Sequence, residues 1–394
     1  MRLTVALEGS AHEMAQEEIQ KQVAYLSPNV RNVQFAAEGA VLECDVPDDE
    51  AARLEPDVRE LAGRLQRSLR RLHRKVLFRS AAAESPVFRG VSPLEGVHLL
   101  GPGQIALEGL PLALFKYFDR VFSELGDRVE ARSVMTPTLI PARVLSRCDY
   151  FRSFPQNVTF ASHLHEDLAV IDGFRARHDG RDDLDEEALA DMVTPEACLS
   201  PAVCYHIYHL HQDRAIPEAG TAHGICGKCF RYEAGNTSDL RRLWDFTMRE
   251  VVFMGTRDDV LKRREAGIRR VAAFLDEHHL AGEIRTASDP FFIAPDAAAK
   301  TYFQLSSETK YEISLMLPAN ERVAVGSLNY HTDFFGRAFG ITVENRGPMH
   351  SVCLAFGLER WVHAFLAQHG DRREDWPAVV REAAEFTPKA QATC

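Results

Sequence analysis

The spacing of apolar and polar residues divides the chain into a small N-terminal unit and a large remainder. RLTVALEG, at the start, reads as a strand. Ser10 to Leu26 has the period of a helix, with Ser10 in the N-cap position and Glu13 three residues on. VRNVQFAAEGAVLECDV reads as two strands turning at Glu38-Gly39, and Ala51 to about Phe78 as one long helix. The order β-α-β-β-α predicts a ferredoxin-like unit over residues 1–80. A linker, AAAESPVFRGVSPLE, follows over 81–95 and leaves a larger domain over 96–394. Within it, Leu112 to Leu125 is periodic as a helix, and Asp258 to His279 is an amphipathic helix of alternating charge, expected on the outer surface. HDGRDDLDEEALADMV is a charged insertion, helical in its second half. CDYFRSFPQNVTF reads as a substrate-side loop and Lys310 to Leu317 as a core strand. There is no internal repeat.

Two patterns in the second half carry candidate chemistry. Phe230 to Glu233 predicts the end of a strand, Ala234 to Arg242, with Gly235-Asn236 at its start, a loop, and Leu243 to Gly255 a returning strand. Alternation puts Arg231 and Glu233 on one face, and Phe246, Met248 and Glu250 on one face. A guanidinium, an aromatic ring and a carboxylate on one surface suit a phosphate, a purine base and a metal or amine. In SVCLAFGLER, the small Cys353, Ala355 and Gly357 alternate with the large Leu354, Phe356 and Leu358. The small side leaves room for a flat ligand, and the large side packs into a core. Glu359 and Arg360 then open the amphipathic helix GLERWVHAFLAQ, and a helix N-terminus bearing an arginine suits a phosphate.

Composition narrows the class. With 394 residues, 45% of them hydrophobic, the chain can bury one large core and one small one. A net charge of −11 argues against a dedicated nucleic-acid binder. The one basic concentration is RLQRSLRRLHRKVLFR, which reads either as a solvated helix face or as a docking surface for an acidic partner. No apolar run is long enough to span a membrane. The eight cysteines have no framework spacing, so a reducing cytoplasmic setting is expected.

Cys204, Glu250 and Cys353 offer two thiolates and a carboxylate, a zinc set with an open fourth position. Cys226 and Cys229 form a CxxC that competes by local spacing, but no second pair completes a structural site. Cys204 and Cys353 taken alone would read as core, as buried thiols commonly do. Cys44, Cys148, Cys198 and Cys394 read as structural or incidental. In SLNYHTDFFG, Asn329, His331 and Asp333 alternate, so they are expected on one face. There His331 and Asp333 read either as an acid-base pair or as a core histidine with an unrelated neighbour.

These segments resemble the motifs of class II aminoacyl-tRNA synthetases. Phe230 to Glu233 with Phe246 and Glu250 looks like motif 2, Cys353 to Arg360 like motif 3, and Arg132 to Pro137 (RSVMTP) like motif 1. The resemblance covers about residues 95 to 385 and is to the seryl type. Ordinary seryl enzymes carry Thr-x-Glu where this chain has Ala202-Val203-Cys204. That change resembles the zinc-dependent methanogen-type seryl enzymes and their shortened relatives, the amino acid:[carrier protein] ligases.

The resemblance implies an α+β fold, an antiparallel sheet flanked by helices, and a homodimer. It implies activation of a small amino acid (glycine, alanine or serine) by ATP, with magnesium and zinc. Arg231 would bridge the α-phosphate and the attacking carboxylate. Glu233 and Phe246 would hold the adenine, Arg360 the γ-phosphate, and Arg241 or Arg242 would assist at the phosphates. Cys204, Glu250 and Cys353 would hold zinc against the α-amino group, with Ala202, Glu250 and Asn329 beside the amino acid. RVAVGSLN lacks the acid that this class places before Asn329, which leaves the magnesium ligands open. The acceptor would be the phosphopantetheine thiol of an acidic carrier protein or, alternatively, tRNA. A catalytically silent paralogue with a regulatory or binding role is a third reading.

Overall fold

The structure, a computed structural model, describes residues 1–70, 72–90, 94–233, 239–289, 297–383 and 386; for residues 297–299 it describes the backbone alone. The N-terminal part folds as β1 (Arg2–Ala6), α1 (Glu13–Val23), β2 (Arg31–Ala36), β3 (Val41–Asp45) and α2 (Ala51–Leu69). The strands form an antiparallel sheet in the order β1-β3-β2. In α2, Leu54, Val58, Leu61, Leu65 and Leu69 repeat at helical spacing and are buried against Ile19 and Val23 of α1 and Leu3 and Val5 of β1.

Two expectations here are corrected. Helix α1 starts at Glu13, with His12 in the cap position, because Ala11 donates its backbone N–H to Gly39 (2.9 Å) and holds the preceding residues extended. The helix expected to reach Phe78 ends at Leu69. Val76–Arg79 is instead a strand, β4, drawn into the large sheet: Thr286 donates to the Lys75 carbonyl (2.9 Å) and Ser80 to that of Gly282 (3.0 Å). Sheet pairing here overrides a helical run of basic and apolar residues.

The rest begins with a hairpin, β5 (Val97–Gly101) and β6 (Gln104–Leu107), then α3 (Gly109–Asp127) and β7 (Arg132–Val134). Short elements follow: β8 (Leu139–Pro141), α4 (Ala142–Arg147), α5 (Tyr150–Ser153) and β9 (Phe160–Ala161). The charged insertion forms α6 (Leu168–His178) and α7 (Glu186–Ala190), and β10 (Ala197–Leu199) closes a three-stranded sheet, β8-β10-β9. Next come α8 (Cys204–Leu210), β11 (Ala215–Ile216), β12 (Thr221–Phe230), β13 (Asp245–Gly255), α9 (Arg257–Glu277) and β14 (Gly282–Thr286). The chain continues through α10 (Ala297–Ser306), β15 (Lys310–Met316), β16 (Arg322–Tyr330), α11 (Phe334–Phe339), β17 (Thr342–Val343), β18 (His350–Gly357) and α12 (Leu358–His369).

Eight strands form the central sheet in the order β4-β14-β15-β16-β18-β13-β12-β7, antiparallel except where β7 runs parallel to β12. Alternation along these strands produces two unlike faces. Val251, Phe253, Leu328, Leu354 and Phe356 turn to one side, where α3, α9 and α12 cover them in the larger core. Helix α9, expected on the outer surface, therefore buries its inner stripe of Val260, Gly267, Val271 and Leu275. Gly267 lets it approach: a Cβ there would lie 2.6 Å from Leu354 Cδ2. Val252, Cys353 and Ala355 turn the other way, toward Ile207 and Tyr208 of α8 and Phe335 and Phe339 of α11.

The N-terminal part is pinned to this sheet by charge. Arg285 of β14, buried, reaches Glu13 (2.7 Å) and Glu17 (3.4 Å) of α1. Arg74 binds both oxygens of Glu17 at 2.6 Å, and Lys75 pairs with Glu308 (2.7 Å). Leu305 of α10 joins the N-terminal core. The stretch 81–95 carries one short turn at Ala81–Glu84, and 91–93 lie outside the described residues.

Candidate active site

The site is built on the second face of the sheet by register. Glu250 of β13 stands opposite Ala355 of β18, and Cys353 stands between Val252 of β13 and Asn329 of β16. Residues directly opposite share a face, so Glu250, Cys353, Ala355 and Asn329 look the same way. Cys204, the first residue of α8, completes the group from the covering layer. The donor atoms of Cys204, Glu250 and Cys353 lie within 4.8 Å of one another and all three residues are buried. The Cys353 thiol donates to Glu250 Oε2 at 2.6 Å.

The electrostatics of this trio favour a cation. Burial pushes Glu250 above the ordinary carboxylate range, against its hydrogen bonds from Cys353 and Cys204. Burial likewise pushes Cys353 well up. At Cys204 the hydrogen bond with Cys353 pulls the pKa down, but burial and the Glu250 charge leave it raised. Among the described residues no Lys or Arg lies within ion-pair distance of Glu250. Arg231 acts on Glu250 from beyond ion-pair distance and lowers it, but burial prevails, and a buried acid and two buried thiols are costly as anions. Tetrahedral zinc, with bonds of roughly 2.0–2.3 Å, spaces its donors by under about 4 Å and fits this set.

The CxxC does not form a competing site. Cys226 and Cys229 are three apart on β12, hence on opposite faces. Cys226 packs at the α3 side, near Asp119, with its thiol pushed up to about 12 by burial. Cys229 is buried in the other core. Cys44, Cys148 and Cys198 are buried and free; Cys394 lies outside the described residues.

Arg231 and Glu233 sit just past the end of β12, where alternation predicts a continuing strand. The Arg231 backbone N–H still bonds the Trp244 carbonyl (3.0 Å). Its Nε donates to the Pro201 carbonyl (3.0 Å), its guanidinium lies 5.4 Å from the Phe246 ring centroid, and it approaches Met248 Sδ (3.8 Å). Burial opposes its charge, but Tyr150, Cys229 and Glu233 raise its pKa further, so it stays cationic. The backbone at Pro201 thus ties Arg231 to the segment bearing Ala202, whose carbonyl accepts from Ser200 Oγ (2.9 Å), and Cys204.

Arg242 and Glu233 pair at 3.5 Å, whereas Arg241 turns away to Asp239 (2.7 Å) and Glu321 (2.5 Å). Of the two loop arginines, Arg242 is the one in the site. Residues 234–238 of the loop lie outside the described residues. Arg360 donates to the carbonyls of Arg241 (2.8 Å) and Ala324 (3.0 Å). Burial lowers its pKa; Glu233 raises it, and Arg231 and Arg242 lower it. Three guanidiniums and one carboxylate therefore share one field, an excess of positive charge suited to phosphates.

Some site features were not read from the sequence. Buried Glu359 accepts the backbone N–H of Thr247 (2.9 Å), which locks the start of α12 to β13 between Phe246 and Met248. Lys310 stands opposite Asn329 on β15 and pairs with Asp289. Strand period alone puts Lys310 and Glu312 on one face, but only register brings them beside Asn329. Asn329 Nδ2 donates to Ser327 Oγ (2.9 Å), while its Oδ1 is buried with no partner. The expected alternation to Asp333 breaks, because β16 ends at Tyr330 and Thr332 takes a φ of 55°. Asp333 pairs with Arg337 (2.7 Å). His331 bonds Ser351 Oγ (3.1 Å) and the Tyr208 hydroxyl (3.3 Å), and burial lowers its pKa to about 4. His331 is a neutral core residue, not half of an acid-base pair.

Comparison with known proteins agrees with this geometry. The profile of the tRNA synthetase class II core domain (G, H, P, S and T) matches residues 189–369. An amino acid--[acyl-carrier-protein] ligase of Bradyrhizobium diazoefficiens is 34% identical over 259 residues, 65% of this chain and 77% of that protein. The chain belongs to the class II synthetase family. It is a ligase of that family with an α+β core. A type-2 serine--tRNA ligase of Methanococcus maripaludis is 26% identical over 288 residues, 71% of this chain, and the chain spans only 56% of its length. The fold matches that of a seryl-tRNA synthetase from M. kandleri, solved with A. aeolicus tRNASec, at a TM-score of 0.69 and 21% identity; the match covers 96% of this chain and 76% of that one. None of the described helices is long and apolar enough to cross a membrane.

Proposed function

We propose that this ligase activates a small amino acid (glycine, alanine or serine) with ATP and transfers it to the phosphopantetheine thiol of an acidic carrier protein. The observation that carries the reading is the buried Cys204–Glu250–Cys353 trio on the same sheet face as the arginine cluster, in a chain 34% identical to an amino acid--[acyl-carrier-protein] ligase. The donor set fits zinc, which when bound would offer a Lewis-acid position to the neutral α-amino group. Asn329 Oδ1, buried and unpaired, is a ready acceptor for that same end of the substrate.

In the first step a carboxylate oxygen of the amino acid attacks the α-phosphorus of ATP. The bond to the bridging β-phosphate oxygen breaks and pyrophosphate leaves. Arg231 neutralises charge on the α-phosphate and the incoming carboxylate, and the Pro201 carbonyl holds it in place. Arg360 and Arg242 take the outer phosphates, and Glu233 and Phe246 hold the adenine. Catalysis here is positioning and charge neutralisation. In the second step the thiolate sulfur attacks the aminoacyl carbonyl, the bond to the phosphate oxygen breaks, AMP leaves and the thiol proton passes to solvent. The small residues Ala355 and Gly357 put no bulky side chain on the sheet face where the adenylate would lie.

The edge strand β7, with exposed Met135 and Leu139 beyond it, supports a homodimer across α3 and β7. A second reading, transfer to tRNA, is favoured by the likeness to type-2 serine--tRNA ligases. Amino-acid-dependent ATP–pyrophosphate exchange across all twenty amino acids tests the first step. Transfer of radiolabelled amino acid to total tRNA or to a phosphopantetheinylated carrier protein from the same genome tests the second. Label on tRNA and not on the carrier overturns the acceptor.

A further inference from the structure

Residues 61–83 hold seven Lys or Arg and no Asp or Glu, in a chain of net charge −11. The structure divides these cations into two groups. Arg74, Lys75 and Arg79 are engaged internally, with Glu17, Glu308 and Glu283, and fasten the N-terminal part to the large sheet. Arg71 lies outside the described residues. Arg64, Arg67 and Arg70 are exposed, and among the described residues no acidic side chain pairs with any of them.

The contrast along α2 is sharp. In its N-terminal half Arg53 pairs with Glu50 (2.9 Å) and Arg59 with Glu55 (2.8 Å). In the C-terminal half the steps of three from Arg64 to Arg70 set three cations along one flank, about 9 Å long. The stripe also has a fixed relation to the active site. His12 Nε2 binds the Leu69 carbonyl (3.0 Å), Lys75 N donates to Thr286 Oγ1 (2.8 Å), and Asp289, three residues beyond Thr286, pairs with Lys310 opposite Asn329. A partner held at the stripe is therefore held at a set distance from the substrate pocket.

We propose that Arg64, Arg67 and Arg70 are the docking surface for the acidic carrier protein; this rests on the acceptor reading above. The observations favour a small acidic protein over RNA. Three cations on a short stripe are few for a polyanion, whose capture rests on many phosphate contacts at once, and the net charge of −11 repels it. A small folded partner needs only one complementary patch, which acts through encounter rate and orientation.

The test is charge reversal in the full chain, with Arg64→Glu, Arg67→Glu and Arg70→Glu combined. A phosphopantetheinylated carrier protein from the same genome serves as acceptor. The expected result is a KM for the carrier raised about tenfold or more, with kcat and ATP–pyrophosphate exchange unchanged and a weaker dependence of kcat/KM on salt. Unchanged exchange also reports that the fold survives. If the wild type loads the carrier and the variant does so with the same KM, the docking surface is wrong while the acceptor stands. If the wild type loads no carrier, the acceptor reading falls and takes the surface with it. Loss of tRNA binding in the variant, with carrier loading intact, would assign the stripe to RNA and overturn the proposal.

Discussion

Side chains at the site divide into those aimed at phosphate and those gathered for a metal. Arg231→Ala and Arg360→Ala should each cut ATP–pyrophosphate exchange by about 100-fold or more, since each removes a preorganised charge. Circular dichroism should stay native; exchange near the wild-type rate in either variant would refute the phosphate roles. Glu250→Ala should lose the zinc that elemental analysis of the purified wild type is expected to find at one per chain. Retention of stoichiometric zinc in that variant would dismiss the trio. The trio, Arg231, Phe246 and Arg360 were legible in the sequence through the motif resemblance, since the scattered spacing of Cys204, Glu250 and Cys353 alone reads as core. The choice between Arg241 and Arg242 was not, because it depends on where Asp239 and Glu321 stand. The fate of His331 turned on a helix, α8, far from it in sequence.

At the scale of elements, β13, β15 and β18 of the central sheet followed from the sequence pattern, as did α9 and α12 from helical period. The strand β4 did not, since its pairing with β14 sets Phe78 against Ile284, a contact between distant parts of the chain. Order within the sheet was likewise invisible, and with it the row that aligns Lys310, Asn329 and Cys353. The close crossing of α9 over β18 gives a direct test of that packing. Gly267→Ala adds a methyl where Leu354 Cδ2 and Leu328 Cδ2 would stand at 2.6 and 3.3 Å. Overpacking of this kind costs about 1–3 kcal/mol and outweighs the roughly 1 kcal/mol gained in helix propensity. The thermal midpoint should fall by a few degrees, and a rise would show that the interface yields easily.

Taken as a whole, the molecule hides histidines that cannot stay neutral in acid. Burial lowers His206, His223 and His278 to about 4. For His278 burial prevails over the hydrogen bond to the Phe274 carbonyl, which acts the other way. The unfolded chain titrates these groups near the ordinary value of about 6.5. Their contribution to stability is therefore complete above about pH 6.5 and is lost as pH falls toward 4, at up to about 1.4 kcal/mol per pH unit for each histidine. Thermal midpoints measured from pH 7.5 down to 5 should drop steadily below pH 6.5, and a flat profile would show that these histidines are not held neutral. Light scattering at micromolar concentration should report a dimer, and a monomeric mass would count against the α3 and β7 contact. The strand β4 has a practical consequence for anyone cutting the chain. A fragment begun at residue 81 would strip the cover from β14 and leave a bare rim of amides and carbonyls, a template on which other chains can stack. A fragment begun ahead of Lys75 keeps that rim sealed, so the safe place to divide this gene lies several codons upstream of where the sequence alone invites the cut.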